Sequence, residues 1–294
     1  MRVNVYLPLL LSLGLAWCAP SVARRLRPAV GARVLASSAV VAALASTWGL
    51  LLLALTLLEN TPFAQERHAV ADPVPTAVGA VASILLAVAV GRALRSARIR
   101  TQTDRALREI CRLCPPHGEL AVLEAPEAHA YAVPGRPGRI LVSTGLLKAT
   151  TPLDRRVVLA HERAHLRHRH HRLRALADLA AALNPLLVPA RNAVTYLVER
   201  WADEAAADDV GNRHETAAAL ARVALTTAPS ASGLPALAFH RHAVVERVVA
   251  LQAPRPPRRR VLAAVTLSLA GLTALCEADA TLAFGRLTFR LLGW

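Results

Sequence analysis

Aromatic residues are scarce in this 294-residue chain. Phe, Tyr and Trp together make up 4 % of it, although hydrophobic residues make up 54 %. A composition so apolar and so poor in aromatic side chains is unusual for a soluble globular protein. A membrane protein is therefore the first class to test.

Lysine is almost absent as well. Lys148 is the only one, so the formal net charge of +15 comes from arginine. An excess of positive charge fits binding to nucleic acid, binding to an anionic membrane surface, or simply a set of cytoplasmic loops. Composition alone does not choose among the three.

Cysteine is too sparse to build a disulfide framework. Of the four cysteines only Cys111 and Cys114 are close in sequence. Their CRLC motif would need a second CxxC to complete a zinc site, or a surrounding βαβ pattern to form a redox pair, and neither is present. We interpret them as two ordinary thiols at helical spacing.

Long apolar runs are what the sequence does contain. Residues 34–58 carry no charged side chain, and a helix of that length crosses about 30 Å of hydrocarbon. Three shorter uncharged runs lie at the lower edge of the spanning length: 3–19, 74–90 and 261–276.

The arginines that flank these runs predict an orientation. Four lie between the first and second runs, four follow the third and four precede the fourth, whereas Arg67 is alone between the second and third. Because cytoplasmic loops carry the excess of positive charge, both ends of the long middle segment should face the cytoplasm and both termini the outside. The first run also resembles a cleaved signal peptide, but the arginines after Ala23 favour an uncleaved span.

The middle segment, 101–256, has the pattern of a folded domain. Short β-prone runs at 120–123, 130–133 and 139–142 are separated by Pro and Gly turn signals and predict a small antiparallel sheet. From Thr151 onward the apolar spacing becomes helical.

That helical pattern leads into HERAHLRHRHH, residues 161–171, which opens with an HExxH motif. On a helix His161 and His165 lie one turn apart on the same face, so both imidazoles can converge on one tetrahedral cation. Glu162 lies beside them. A carboxylate there can take a proton from water that zinc acidifies to a pKa of about 7, and can pass it to a leaving amine.

A catalytic zinc needs three protein ligands and one open position, so a third ligand must exist. His171 has the spacing of the HExxHxxGxxH zincins, but His168 stands where that pattern has glycine. Those enzymes also need a methionine turn beneath the metal, and the only methionine here is Met1. This option is therefore excluded.

Glu199 in ERWADEAAADD is the other candidate for the third ligand. Asp203 lies one helical turn further on the same face, so the glutamate can ligate while the aspartate holds a ligand histidine by its free N–H. The competing interpretation is an exposed charged face, on which Arg200 and Glu204 pair at i,i+4 spacing. That interpretation leaves both inner acids without a partner.

HERAH followed by ERWAD, with AYAVPGRPGRILVSTGLL ahead of both, resembles the membrane-bound gluzincin metallopeptidases. The segment is similar to the HtpX and CAAX-prenyl protease family, whose pattern is a sheet with a Pro-Gly element, then HExxH, then ExxAD. The order of the apolar runs resembles the BlaR/MecR antibiotic-sensor branch. No penicillin-binding sensor follows the fourth run, so no β-lactam response is inferred.

The resemblance implies one zinc ion per chain, bound by His161, His165 and Glu199. It makes Glu162 the general base and acid, and Asp203 the support of a ligand histidine. It also implies a strand at the edge of the sheet on which a substrate peptide lies. The residues of that expected edge strand are Arg139, Ile140, Leu141 and Val142.

An oxyanion stabiliser should also lie near the metal. The sequence offers three candidates and does not separate them: Tyr196, Arg213 and His214. Arg163 departs from the family pattern, which usually has an apolar residue there. The remaining histidines of 161–171 alternate with arginine and are predicted to form a basic collar against anionic lipid: His168, His170 and His171.

The patterns together predict a mainly α membrane protein with about four transmembrane helices and a cytoplasmic α+β zincin-like domain between the third and fourth. Three helices fall in 1–100, the zinc metallopeptidase domain in 101–256, and the fourth helix with a short tail in 257–294. The predicted function is an integral membrane zinc metalloendopeptidase that hydrolyses cytoplasmic or membrane-proximal proteins, in regulatory signalling or quality control.

A multi-pass protein of the cell membrane is expected, with protein or peptide substrates, membrane lipid around it, and an unidentified regulatory partner such as a repressor. Two alternatives stay open. One is a non-enzymatic basic membrane scaffold or nucleic-acid-binding protein, although the arginines cluster at membrane flanks without a nucleic-acid-binding fold. The other is a metal-binding but inactive sensor.

Overall fold

The computed structural model describes most of the chain. The described residues are 7–59, 75–114, 116–226 and 235–257, and beyond them 263–264, 266–268, 271–272, 275, 278 and 281–282. The described part is mostly helical, with one small sheet. Its helices are α1 (Leu7–Arg25), α2 (Pro28–Glu59), α3 (Thr76–Leu113), α4 (Thr144–Ala149), α5 (Pro152–Arg167), α6 (His170–Leu183), α7 (Val188–Val210), α8 (Arg213–Thr226) and α9 (Pro235–Gln252).

Four strands form the sheet, in the order β1-β2-β4-β3. They are β1 (Pro116–His117), β2 (Leu120–Leu123), β3 (Ala130–Val133) and β4 (Arg139–Ser143). β2 pairs parallel with β4, whereas the other two pairings are antiparallel. The prediction of a purely antiparallel sheet is therefore wrong, because the chain passes from β2 to β3 at the edge and then returns as β4, which inserts between them and runs parallel to β2.

The same strand order corrects the expected edge strand. Arg139, Ile140, Leu141 and Val142 belong to β4, which has neighbours on both sides, and three of these residues are buried. A strand paired on both sides has no free backbone groups to offer a peptide. The free edge belongs to β3, which lies next to α5.

Two described helices are long and apolar enough to cross a membrane: Pro28–Leu57 and Thr76–Leu113. They contain residues 34–57 of the predicted run 34–58 and residues 76–90 of the third run. The described part of the first run lies in α1, which is not one of the two. Half of the fourth run, 261–276, falls outside the described residues, so four spans stay a prediction.

The N-terminal helices share one hydrophobic core with α6 and with α7, the helix that carries Glu199. Leu26, in the turn between α1 and α2, and Leu35 of α2 pack with Val194 and Leu197 of α7, all of them buried. The guanidinium of Arg33 lies 4.6 Å from the centre of the Trp201 ring, which adds a cation–π contact between α2 and α7. The division at residue 100 stays a prediction, but α7 is built directly onto α1 and α2.

A short turn between α6 and α7 inserts into this core. The buried side-chain amide of Asn184 donates to Ser12 Oγ at 3.0 Å and to Ser46 Oγ at 2.9 Å, and its oxygen accepts from the N–H of Leu186. A buried amide with these partners is satisfied. The bonds hold the start of α7 against α1 and α2, as expected for a core helix pair.

A capping box begins α5. Thr151 Oγ1 accepts from the N–H of Asp154, and the Asp154 carboxylate accepts from the N–H of Thr151, both at 3.2 Å. Pro152 at the first helical position suits the same start. Asp154 also accepts two hydrogen bonds from Arg222 of α8, so the helix that carries HERAH starts at a defined place relative to α8.

Candidate metal and active site

Helices α5 and α7 bring His161, His165 and Glu199 together. His161 Nε2 lies 3.1 Å from His165 Nε2 and 3.5 Å from Glu199 Oε2, and His165 Nε2 lies 3.7 Å from Glu199 Oε1. Ligand atoms about 2.1 Å from a tetrahedral zinc lie roughly 3.4 Å from one another. The three donors therefore fit one zinc ion, and the predicted third ligand lies where the prediction needs it.

The charge states of His165 and Glu199 suit a metal, whereas His161 must lose a proton to bind one. Burial opposes protonation of His161, but the hydrogen bonds with Asp203 and Glu199 raise its pKa to about 10. Burial and the charge on His161 lower the pKa of His165 to about 4, so its imidazole is neutral near pH 7, as a ligand must be. Burial opposes ionisation of Glu199, but the hydrogen bond from His161 and the charge on Arg247 hold its pKa well below the usual range. The carboxylate is therefore ionised.

Asp203 supports the first histidine, as predicted from the helical spacing. Its Oδ1 lies 3.0 Å from His161 Nδ1, and its side chain is 2 % exposed. A carboxylate on Nδ1 selects the tautomer that directs Nε2 to the ligand position. The alternative of an exposed charged face is wrong, because Arg200 is buried and Glu204 pairs with Arg213 and Arg255 instead.

Arg247 of α9 is a site residue that the sequence did not reveal. Its Nε and Nη2 donate to the two oxygens of Asp203 at 2.8 and 2.7 Å, and its Nη1 lies 3.3 Å from Glu199 Oε2. The fork of the guanidinium matches both carboxylates and partly offsets their charge. One arginine in an arginine-rich chain carries no signal of this role, which depends on where α9 packs.

His170 supports the second histidine. Its Nδ1 lies 3.0 Å from Nδ1 of His165, its ring packs against Trp201, and its Nε2 has no hydrogen-bond partner among the described residues. Arg169 lies between α5 and α6 with a φ of 54°, in the left-handed region. The turn at this residue separates the two helices and directs His170 back toward the site. The prediction of a solvated collar is therefore wrong for His170, which is fully buried.

Glu162 lies between two clefts. Burial raises its pKa to about 7, although the charge on His161 and the nearby backbone of Ala132 in β3 act to lower it. A carboxyl group with a pKa near neutrality can both accept and return a proton. The clefts on either side, of about 200 and 230 Å³, share Ala130, His161 and Glu162 in their walls.

The three oxyanion candidates lie elsewhere. Arg213 pairs with Glu204 and donates to the carbonyl of Ala253, His214 is exposed at the start of α8, and Tyr196 packs on Arg200. None of them lines either cleft among the described residues. Arg174 does line one of them, 3.7 Å from Glu199.

Arg163, the departure from the family pattern, points away from the site. It forms an exposed ion pair with Glu119, next to β2. The apolar neighbour that the pattern expects is therefore not needed at this position.

Two helices that carry HExxH and ExxAD, a carboxylate between two clefts, and a sheet edge beside them define a metallopeptidase of the gluzincin type. A model of peptidase family M48 matches residues 93–255, more than half of the chain, and the chain belongs to that family. Membership implies metallopeptidase activity, with zinc as the usual ion. No curated protein and no solved structure matches the chain. The narrower resemblance to the HtpX or BlaR/MecR relatives stays a prediction.

Proposed function

We propose that this protein is an integral membrane zinc metalloendopeptidase that cleaves cytoplasmic or membrane-proximal polypeptides. The observation that carries the proposal is the tetrahedral spacing of the donor atoms of His161, His165 and Glu199, with Glu162 beside them. Each residue keeps the role expected from the sequence: three ligands, one base, and Asp203 in support.

When bound, zinc supplies a Lewis acid that polarises the scissile carbonyl and makes water more acidic. Glu162 takes the proton from the attacking water at its carboxylate oxygen and then delivers it to the leaving amine nitrogen. Asp203 and His170 hold the two ligand imidazoles through their Nδ1 atoms, while Arg247 holds Asp203. Each ligand histidine is therefore held by a neighbouring side chain, and Asp203 is held by Arg247.

The edge of β3 is the proposed place for the substrate backbone. Ser143 N–H donates to the carbonyl of His129, so by alternation the groups of Ala130 and Ala132 point to the free edge. The backbone of Ala132 lies close enough to Glu162 to influence the pKa of its carboxyl group. An extended peptide paired with this edge passes over Glu162 and between the two clefts.

The cleft next to α8 suggests which substrate side chain the enzyme prefers beside the cleaved bond. Apolar side chains form most of its wall, and its volume of about 200 Å³ suits one leucine or phenylalanine side chain. The residues that make this wall apolar are Leu146, Val158, Leu220, Val223, Val244 and Val248. We expect cleavage next to large apolar residues.

Membrane integration is supported by the surface of α3. Val81 and Ile84 are 55 % and 63 % exposed, as are several other large apolar residues of the same helix. The core helix of a soluble protein would bury such residues, whereas lipid can cover them. The flanking arginines support a cytoplasmic site.

The test measures zinc per chain and cleavage of an unstructured reporter by detergent-purified protein. We expect one zinc in the native chain and in Glu162→Gln, cleavage by the native chain only, and loss of zinc in Glu199→Ala. Glu109→Gln, which changes an exposed acid of α3, is the control and should match the native chain.

Three outcomes would contradict the proposal. A native chain without zinc would remove the metal site, and cleavage by Glu162→Gln at the native rate would remove the assigned base. One zinc per chain with no cleavage of any reporter would favour the inactive sensor.

A further inference from the structure

An open cavity lies between α3, α6 and α7, away from the zinc ligands. Its volume is about 580 Å³. Four arginines and two aspartates line it: Arg92, Arg95, Arg100, Arg191, Asp104 and Asp178. Four guanidinium groups against two carboxylates leave an excess of two positive charges, and the proposed peptidase reaction uses none of them.

The aspartates neutralise little of this charge. Asp178 pairs with Arg100. Within the described ranges no carboxylate forms an ion pair with Arg92, Arg95 or Arg191, although Arg92 donates through Nε to the carbonyl of Ala182. Arg191 donates through Nε and Nη2 to the side-chain oxygen of Asn192, which is a neutral partner. Among the described residues these three guanidinium groups therefore have no anionic partner and can bind an anion that enters the cavity.

The cavity lies next to the part of α3 that directly follows its uncharged run. The uncharged run of that helix ends at Val90, and Arg92 and Arg95 follow at about 3 and 7.5 Å along the helix axis, from a rise of about 1.5 Å per residue. In a membrane-spanning helix this is the level of the headgroups, directly outside the hydrocarbon.

The first turn of α7 adds to the positive potential. Val188 and Arg191 of that turn line the cavity, and the turn contains no acidic residue and no side-chain cap. The N–H of Val188 donates to the carbonyl of Pro185 and Pro189 has no N–H, so Arg191 rather than the backbone supplies the positive charge of this turn. Together the arginines of the cavity favour a phosphate group.

We propose that this cavity binds the phosphate of an anionic phospholipid headgroup. This inference rests on the proposed membrane integration. The bound headgroup joins α3 to α7 two helical turns before Glu199, so it holds the helix of the third ligand at a constant height relative to the membrane surface. A free phosphate ion has the same recognition chemistry, and the experiment separates the two sources.

The experiment titrates the purified full-length protein, in a neutral detergent, with dioctanoyl phosphatidylglycerol, dioctanoyl phosphatidylcholine and inorganic phosphate. Calorimetry gives each Kd. The cavity variant is Arg92→Gln/Arg95→Gln. The matched control is Arg98→Gln/Arg105→Gln, which removes two exposed arginines of the same helix that do not line the cavity.

We expect the native protein to prefer phosphatidylglycerol over phosphatidylcholine. At about 1 kcal/mol for each arginine near an anionic headgroup, the cavity variant should weaken binding of phosphatidylglycerol roughly 30-fold. The control should change it less than about threefold, because Arg98 and Arg105 do not line the cavity and exposed charges outside it contribute little.

Equal losses in the two variants, or no preference for phosphatidylglycerol, would overturn the proposal. Inorganic phosphate that binds as tightly as phosphatidylglycerol would overturn the lipid as the source. Zinc content and reporter cleavage of the same samples test the peptidase function separately. A protein that stays soluble without detergent would refute membrane integration itself.

Discussion

Replacing Arg247 by methionine should destabilise the protein although it replaces none of the metal ligands. The side chain is 18 % exposed and forms a two-pronged ion pair with Asp203, which is 2 % exposed, and a longer contact with Glu199. Removing one partner of a buried ion pair costs about 3–5 kcal/mol, because the other charge stays buried. Asp203 keeps its contact with His161, so we expect about 3 kcal/mol.

A loss of that size lowers the melting temperature by about 6–12 °C, at roughly 2–4 °C per kcal/mol for a domain of 150–250 residues. Thermal unfolding of the detergent-purified protein measures it. Arg247→Lys keeps the charge but not the fork and should fall between the native chain and Arg247→Met. Arg105→Met, at an exposed position of α3, is the control.

The double variant Arg247→Met/Asp203→Asn adds a sharper criterion. Without the arginine, the Asp203 carboxylate is a buried charge that has lost one of its partners, although it still contacts His161. The losses of stability in the two single variants should therefore not add. If Arg247→Met melts within about 2 °C of the native chain, a shift of less than about 1 kcal/mol, the reasoning is refuted.

Three further substitutions test the framework around the site. His170→Phe keeps the ring but not the nitrogen, so zinc affinity should fall about 10–100-fold in competition with a chelator, and an unchanged affinity would refute the support of the second histidine. Asp154→Ala should cost about 2 kcal/mol in thermal unfolding. Burial opposes ionisation of Asp154, but the hydrogen bonds from Arg222 lower its pKa, so its contribution is present above about pH 4 and is lost as the pH falls through the lowered value. The native and variant melting temperatures should therefore converge in acid, and a gap that persists there contradicts the assignment. Gly145→Ala places a methyl group against the carbonyl of Pro126 and should destabilise by about 1–3 kcal/mol, whereas a native melting temperature would show that the loop can move aside.

Local spacing was enough for the residues that lie on one helix. His161 and His165 face the same way because they are one turn apart, and the same holds for Glu199 and Asp203. That a third ligand must come from another helix followed from the coordination number of zinc. The strand positions followed from turn residues and β-prone runs, which are also local signals.

Contacts between segments that are distant in sequence could not be predicted from local spacing. Strand order depends on a crossover, so the edge strand was assigned to β4 when the free edge belongs to β3. The three oxyanion candidates were chosen by closeness in sequence to ERWAD, but their side chains face other partners. Arg247 reaches the site from α9, forty-four residues beyond Asp203.

The sequence by itself determined which residues can hold the metal, because ligand type and helical period are properties of short segments. Only the tertiary structure decided what surrounds those residues. The sharp turn at Arg169 buries His170 against the second ligand, and the packing of α9 places Arg247 on Asp203. Both contacts depend on the close packing of whole helices, and no short stretch of sequence specifies that.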